Sequence, residues 1–112
     1  MKKVTILIPC YNEAKTIEEV VSRVVNSDIS DKEIIIIDDC SNDGTKEILK
    51  NLSLKVDKIF YHKKNSGKGA CIRTGLEHVT GEIVIIQDAD LEYDPNDYKI
   101  LIKPINDFKA DI

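Results

Sequence analysis

Gly81-Glu-Ile-Val-Ile-Ile-Gln-Asp-Ala-Asp-Leu-Glu-Tyr-Asp-Pro95 runs four consecutive apolar residues, Ile83 to Ile86, straight into an acidic cluster. A short β-branched run of this kind reads as a strand buried on both faces of a parallel sheet. The strand is expected over Ile83 to Asp88, and Asp88, Asp90, Glu92 and Asp94 stand at its carboxyl end, the edge at which open α/β sheets bind ligands. Alternating carboxylates repel one another unless a cation or a hydrogen-bond network holds them. Their hard oxygens suit Mg²⁺ or Mn²⁺, which commonly keep a substrate phosphate as a further ligand. Asp88-Ala89-Asp90 therefore reads as a divalent-metal and diphosphate site. An isolated Asp-x-Asp is more often a solvated loop or a helix cap, and Asp94-Pro95 has the form of such a cap. An EF-hand would need Gly and Glu where Tyr93 and Lys99 stand, so that reading fails.

Working outward, the same pattern recurs upstream. Glu33 to Asp39 carries a buried strand, Ile34 to Ile37, with Asp38-Asp39 emerging at its end. Val4 to Ile8 is a β-rich run stopped by Pro9, followed by the loop Pro9-Cys-Tyr-Asn-Glu13. Thr16 to Val25 places Ile17, Val20, Val21, Val24 and Val25 at helical spacing. Ser41-Asn-Asp-Gly-Thr45 is a turn capping a helix from Thr45 to about Leu52. Val56 to His62 is a shorter, more polar strand nearer an edge. Lys64-Asn-Ser-Gly-Lys-Gly69 is a flexible connection to a helix over Ala70 to Val79, with Gly81 as its stop. Pro95 opens a further helix to about Ile102. Strands alternating with helices predict an α/β fold: a mainly parallel sheet, right-handed crossovers and helices on both faces.

The 112 residues make one domain by length. Charged residues are 32% and the apolar set 42%, as in ordinary globular proteins. A net charge of −4 with no basic stripe excludes a nucleic-acid partner. Cys10, Cys40 and Cys71 are widely spaced and read as free thiols in a reducing cytosol. No apolar run is long enough to span a membrane. His62 and His78 lack partners at metal spacing and read as structural or surface residues.

Glu13, Asp38 with Asp39, and Asp88 with Asp90 follow three predicted parallel strands and so face one crevice. A nucleoside diphosphate suits it. Asp39 or Glu13 can accept a hydrogen bond from a base N–H, and Tyr11 can lie against the ring. Uracil or guanine should then bind better than cytosine, which has no ring N–H. Asp90 with a metal neutralises the diphosphate, and Lys68 and Arg73 are the available cations. Gly67-Lys68-Gly69 lacks the leading glycine and the Ser or Thr of a phosphate loop, but its glycines allow close approach at a helix N-terminus, which favours an anion.

Ile8-Pro-Cys-Tyr-Asn-Glu13, Ile37-Asp-Asp-Cys-Ser-Asn-Asp-Gly-Thr45, Asn65-Ser-Gly-Lys-Gly69 and Gln87-Asp-Ala-Asp-Leu-Glu-Tyr-Asp-Pro95 resemble, in order, the motifs of family 2 glycosyltransferases of the GT-A fold. They are most similar to the branch related to dolichyl-phosphate mannose and glucose synthases. The resemblance implies a Rossmann-like nucleotide-binding half and an inverting transferase using a GDP-mannose or UDP-glucose type of donor with Mg²⁺ or Mn²⁺. By position, Pro9, Tyr11, Glu13 and Asp39 would contact the nucleoside, with Ile37 and Asp38 beside it. Asp88, Ala89 and Asp90 would be the Asp-x-Asp element, with Asp90, Asp88 and Glu92 as metal ligands and Lys68 and Arg73 as further donor contacts.

The acceptor would be a polyprenyl or dolichyl phosphate on the cytoplasmic membrane face, or a saccharide. Ala110-Asp-Ile112 has the look of a strand cut off. The expectation is therefore an amino-terminal part of a longer protein, with acceptor residues, any general base and any membrane attachment beyond Ile112. Such a part would fold, self-associate through an exposed edge, and bind nucleotide without turnover. A haloacid-dehalogenase phosphatase also uses Asp-x-Asp, but after its first strand, whereas Asp88 follows the fourth.

Overall fold

The computed structural model describes residues 3–90 and 99–101. Five strands, β1 (Val4–Cys10), β2 (Lys32–Asp38), β3 (Lys58–Tyr61), β4 (Ile83–Ile86) and β5 (Lys99–Leu101), form one sheet in the order β3-β2-β1-β4-β5. β1 to β4 pair in parallel, and β5 pairs antiparallel to β4. Helices α1 (Ile17–Val25), α2 (Thr45–Leu52) and α3 (Lys68–Leu76) are the crossovers. This is the expected α/β architecture, a mainly parallel sheet with helices on both faces.

The two-sided apolar strands explain the layers. Ile6, Ile8, Ile34 and Ile36 point to one face, where Ile17, Val21 and Val24 of α1 and Leu49 and Leu52 of α2 cover them. Leu7, Ile35, Ile37 and Val84 point to the other, against Cys71 and Leu76 of α3. Alternation along each strand thus feeds two cores rather than one core and solvent. β3 carries fewer apolar residues and is only partly buried because it lies at a sheet edge, as its polar sequence indicates.

Four expectations are corrected. Pro9 does not stop β1: the strand runs on to Cys10, with Pro9 opposite Ile37. The hydrogen bonds show why. Odd-numbered β1 residues face β4, where Gln87 N–H donates to Leu7 C=O, and even-numbered ones face β2, where Asp39 N–H donates to Cys10 C=O. Pro9 therefore turns its missing N–H toward β4 beyond the last paired residue, Leu7, where no ladder bond is lost.

Gly81 is not the stop of α3, which ends at Leu76. Gly81 sits where a Cβ would come within 2.7 Å of Thr5 N and 3.0 Å of Lys3 O, and its N–H donates to Thr5 Oγ1 at 2.9 Å. Its glycine serves a close strand approach. The fourth strand ends at Ile86 rather than Asp88, because β1 turns to β2 alone past Leu7. Finally, the helix expected from Pro95 to about Ile102 is contradicted at Lys99–Leu101, which extends the sheet as β5. Lys99-Ile-Leu101 fits either period, and pairing with β4 decides it. Residues 95–98 and 102 lie outside the described residues.

Candidate donor-binding cleft

The carboxyl ends of β1, β2 and β4 open into one cleft of about 480 Å³, lined by Pro9, Cys10, Tyr11, Glu13, Asp39, Lys68, Cys71, Asp88, Ala89 and Asp90. The parallel topology brings these residues together from four separated stretches of sequence. Ile37 and Asp38 do not reach the lining. Ile37 is wholly buried in the α3-side core. Asp38 is wholly buried too and holds the turn after β2, its Oδ2 accepting Ser41 N–H at 3.0 Å; its Oδ1 has no hydrogen-bond partner among the described residues. Arg73 is exposed on α3, one turn after Gly69, and is not in the lining either. Glu92 lies outside the described residues.

The loop after β1 is held by the loop after β2. Asn12, in the left-handed region at φ 52°, donates its N–H to Ser41 Oγ at 2.8 Å and accepts Asn42 N–H on Oδ1 at 2.8 Å. Glu13 N–H donates to Thr45 Oγ1 at 3.1 Å and Ala14 N–H to Asp43 Oδ2 at 3.2 Å. Asp43 also accepts from Thr45 N–H at 3.1 Å and from the Thr45 hydroxyl. These bonds hold the Asp43 carboxyl below the usual carboxylate range, the Thr45 side-chain bond being the largest contribution. Ser41, Asp43 and Thr45 therefore do more than turn the chain into α2: they fix the segment that presents Tyr11, 44% exposed at the rim, and Glu13.

Asp39 is 3% exposed and its carboxylate is already engaged. Oδ1 accepts from His62 Nδ1 and Ser66 N–H, both at 2.8 Å, and Oδ2 accepts from Gly67 N–H at 2.8 Å. Burial alone would raise its pKa; the His62 bond and the two backbone donors outweigh it and hold the group ionised below the usual range. Gly67 takes φ +95°, a conformation that suits glycine, which lets two successive N–H groups converge on Asp39. The predicted flexible connection is thereby clamped, and α3 begins at once with Lys68.

Lys68 Nζ lies 2.5 Å from Asp88 Oδ1. Behind Asp88, Gln87 is buried, and its side-chain amide donates to Asp88 C=O at 3.0 Å. The Thr16 hydroxyl, at the start of α1, donates to Ala89 C=O at 2.6 Å. The Asp88-Ala89-Asp90 turn is thus tied to α1 and to β4. Its two carboxylates on the cleft wall are the hard-oxygen donors that Mg²⁺ or Mn²⁺ prefers, so the residues present fit such an ion. Lys68 partners Asp88 here, and a cation bound there would release it toward a phosphate.

A second set of donor atoms, from Asp39, His62 and Cys71, lies within 4.8 Å of one another. Its geometry belongs to a hydrogen-bond cluster. Nδ1 and Oδ1 are 2.8 Å apart, whereas ligands of a tetrahedral ion at about 2.0 Å stand roughly 3.3 Å apart. The Cys71 thiol is pushed up to about 11 by burial first, then by Asp39 and Asp38. Burial, followed by Asp38, Glu13 and Asp43, raises that of Cys10 as well. Both shifts disfavour the thiolate, the nucleophilic form. Sequence reasoning placed His62 among structural residues and gave the two thiols no place. Only the third dimension brings Cys71 to the cleft wall and His62 behind Asp39, since nothing in their spacing marks it.

Comparison with known proteins places the chain in a family. The family model described as glycosyl transferase family 2 matches residues 5–112. A dolichyl-phosphate beta-glucosyltransferase of Trichomonas vaginalis is 35% identical over 111 residues, covering 90% of this chain and 34% of its own length. A dolichol-phosphate mannosyltransferase of Pyrococcus furiosus is 34% identical over 105 residues, covering 92% of this chain and 30% of its own. Among solved structures, a mannosyltransferase of Pyrobaculum calidifontis in complex with GDP-Man and Mn²⁺ superposes with a TM-score of 0.73 at 33% identity, over 78% of this chain and 27% of the other. The chain spans about a third of the length of the curated relatives it matches.

Proposed function

The chain belongs to glycosyl transferase family 2, with the Rossmann-like GT-A architecture, and from that premise we propose that it carries the donor-binding part of an inverting transferase that moves a hexose from a nucleotide sugar to a polyprenyl or dolichyl phosphate. The observation that carries this reading is the single cleft. Tyr11, Glu13 and Asp39, suited to a base, and Lys68, Asp88 and Asp90, suited to a diphosphate and its metal, line it together. That combination of an aromatic ring, carboxylates and a lysine in one cleft suits both parts of a nucleotide-sugar donor. The dolichyl-phosphate transferases among the relatives support the lipid acceptor, and the GDP-Man complex supports the donor class.

In the proposed reaction, Tyr11 lies along the base and Glu13 or Asp39 accepts a base N–H. Asp88 and Asp90 would hold a divalent ion, which when bound supplies positive charge to the leaving diphosphate. Lys68, released from Asp88, adds charge on the same side. The acceptor oxygen attacks the anomeric carbon from the face opposite the diphosphate; the bond from that carbon to the β-phosphate oxygen breaks, and nucleoside diphosphate leaves. A phosphate acceptor is already anionic and needs little general-base help.

Labelled GDP-mannose and UDP-glucose, offered with polyprenyl phosphate or with soluble saccharides, test the proposal. We expect labelled lipid from a protein in which this segment stands beside an acceptor-binding segment, and nucleotide binding without transfer from residues 1–112 alone. Transfer by residues 1–112 would overturn the division of labour. Labelled saccharide without labelled lipid would overturn the acceptor, and phosphate release from simple phosphomonoesters would point to a phosphatase instead.

A further inference from the structure

We propose that His62 is a positioning residue for base recognition: held between Thr74 and Asp39, it fixes the carboxylate that discriminates bases carrying a ring N–H from those without one. This rests on the donor reading above.

The ring is gripped at both nitrogens. Nδ1 lies 2.8 Å from Asp39 Oδ1 and Nε2 lies 2.8 Å from Thr74 Oγ1 on α3. Asp39 is ionised and has no proton to give, so Nδ1 carries the hydrogen and donates. On a neutral ring Nε2 then accepts the Thr74 hydroxyl hydrogen. The backbone under the ring is fixed as well, because His62 N–H donates to Asp38 C=O at 2.8 Å and continues the β2–β3 ladder past Tyr61. Cys71 Sγ, 4.0 Å from Nδ1, packs beside it.

The consequence falls on Asp39. Each carboxylate oxygen can accept about two hydrogen bonds. Oδ1 takes both of its own, from His62 and Ser66, Oδ2 takes Gly67 N–H, and the Cys71 thiol hydrogen-bonds the same carboxylate. The carboxylate cannot turn about its axis without breaking these bonds, and at the cleft wall the weak thiol donor leaves a place that a stronger one can take. A ring N–H of uracil or guanine can fill it; the acceptor nitrogen of cytosine at that place would face a carboxylate. His62 itself is absent from the cleft lining, so it acts through Asp39.

Calorimetric titration of the chain with UDP, GDP and CDP in the presence of Mn²⁺ tests this in parent, His62→Leu and His62→Asn. Asn can return a donor near the place of Nδ1. We expect His62→Leu to weaken UDP and GDP by roughly tenfold, the scale of one hydrogen bond to a charged group, while CDP is little changed. His62→Asn should restore most of the discrimination. Equal loss for all three nucleotides would show mere structural support and overturn the proposal, as would an unchanged UDP to CDP ratio. If His62→Leu does not fold, Thr74→Val, which spares the ring, must reduce the same ratio or the proposal fails. A parent that binds none of the three would overturn the donor reading itself.

Discussion

Glu33 and Asp39 sit at opposite ends of β2 and do opposite jobs with the same chemistry. Glu33, 4% exposed, accepts from Thr5 Oγ1 at 2.9 Å, from Thr80 N–H at 3.0 Å and from Thr80 Oγ1 at 3.0 Å, with Lys58 Nζ at 3.5 Å. Burial would raise its pKa; the Thr80 and Thr5 bonds outweigh it and lower the group from its ordinary 4.5. Asp39 is lowered from 3.8 in the same manner. A depressed folded pKa contributes stability that is present above the unfolded value and lost as pH falls through the folded one. Urea unfolding should therefore show constant stability above the ordinary values of 4.5 and 3.8 and a decline as pH drops below them. Glu33→Gln should shallow that decline and leave nucleotide binding unchanged; an unaltered acid limb would contradict the assignment.

Two glycines provide a second residue-scale prediction. A Cβ on Gly75 would stand 2.9 Å from Ile37 Cδ1 and Leu7 Cδ2, and one on Gly81 would meet the backbone of Thr5 and Lys3. Side-chain ends can shift, whereas backbone in a sheet cannot. Gly75→Ala should cost about 1–3 kcal/mol and Gly81→Ala more, read from urea midpoints. The reverse order would mean that the sheet yields more readily than the α3 packing.

At the scale of elements, the three fully apolar strands were legible because a parallel sheet covered on both faces needs uninterrupted apolar runs. Their carboxyl ends, and hence Tyr11, Glu13, Asp39, Asp88 and Asp90, were legible with them. What the one-dimensional pattern withheld is what neighbours decide. Pro9 continues β1 because β4 has already ended on that side, and Lys99–Leu101 is a strand because β4 offers an edge. His62 reaches Asp39 only because β3 lies beside β2. Ile37 and Asp38 look like cleft residues by position, but the strand buries them.

The connection between α1 and the Asp88-Ala89-Asp90 turn was equally invisible in sequence; the Thr16 hydroxyl donates to Ala89 C=O at 2.6 Å. Thr16→Val keeps the shape and removes it. We expect a loss of stability near 1 kcal/mol or less and a several-fold weaker Mn²⁺-dependent binding of nucleoside diphosphate. Unchanged affinity would show that the turn is held by β4 alone.

At the scale of the whole molecule, the parallel strands bring Tyr11, Glu13, Asp39, Lys68, Asp88 and Asp90 to one end of the sheet, while the Glu33 network with Thr5 and Thr80 secures the other. Function and stability are thereby separated along the strand axis, so substitutions at the cleft should change affinity more than fold. Asp90→Asn is the sharpest case: it keeps size and removes one of the two carboxylates of the cleft lining proposed to hold the metal. Calorimetry of UDP and GDP with and without Mn²⁺, in the parent and in Asp90→Asn, measures the central claim directly. The account predicts binding that depends on Mn²⁺ in the parent and loses most of that dependence in Asp90→Asn, with unfolding midpoints alike. Equal Mn²⁺-dependent affinity in both proteins would contradict it.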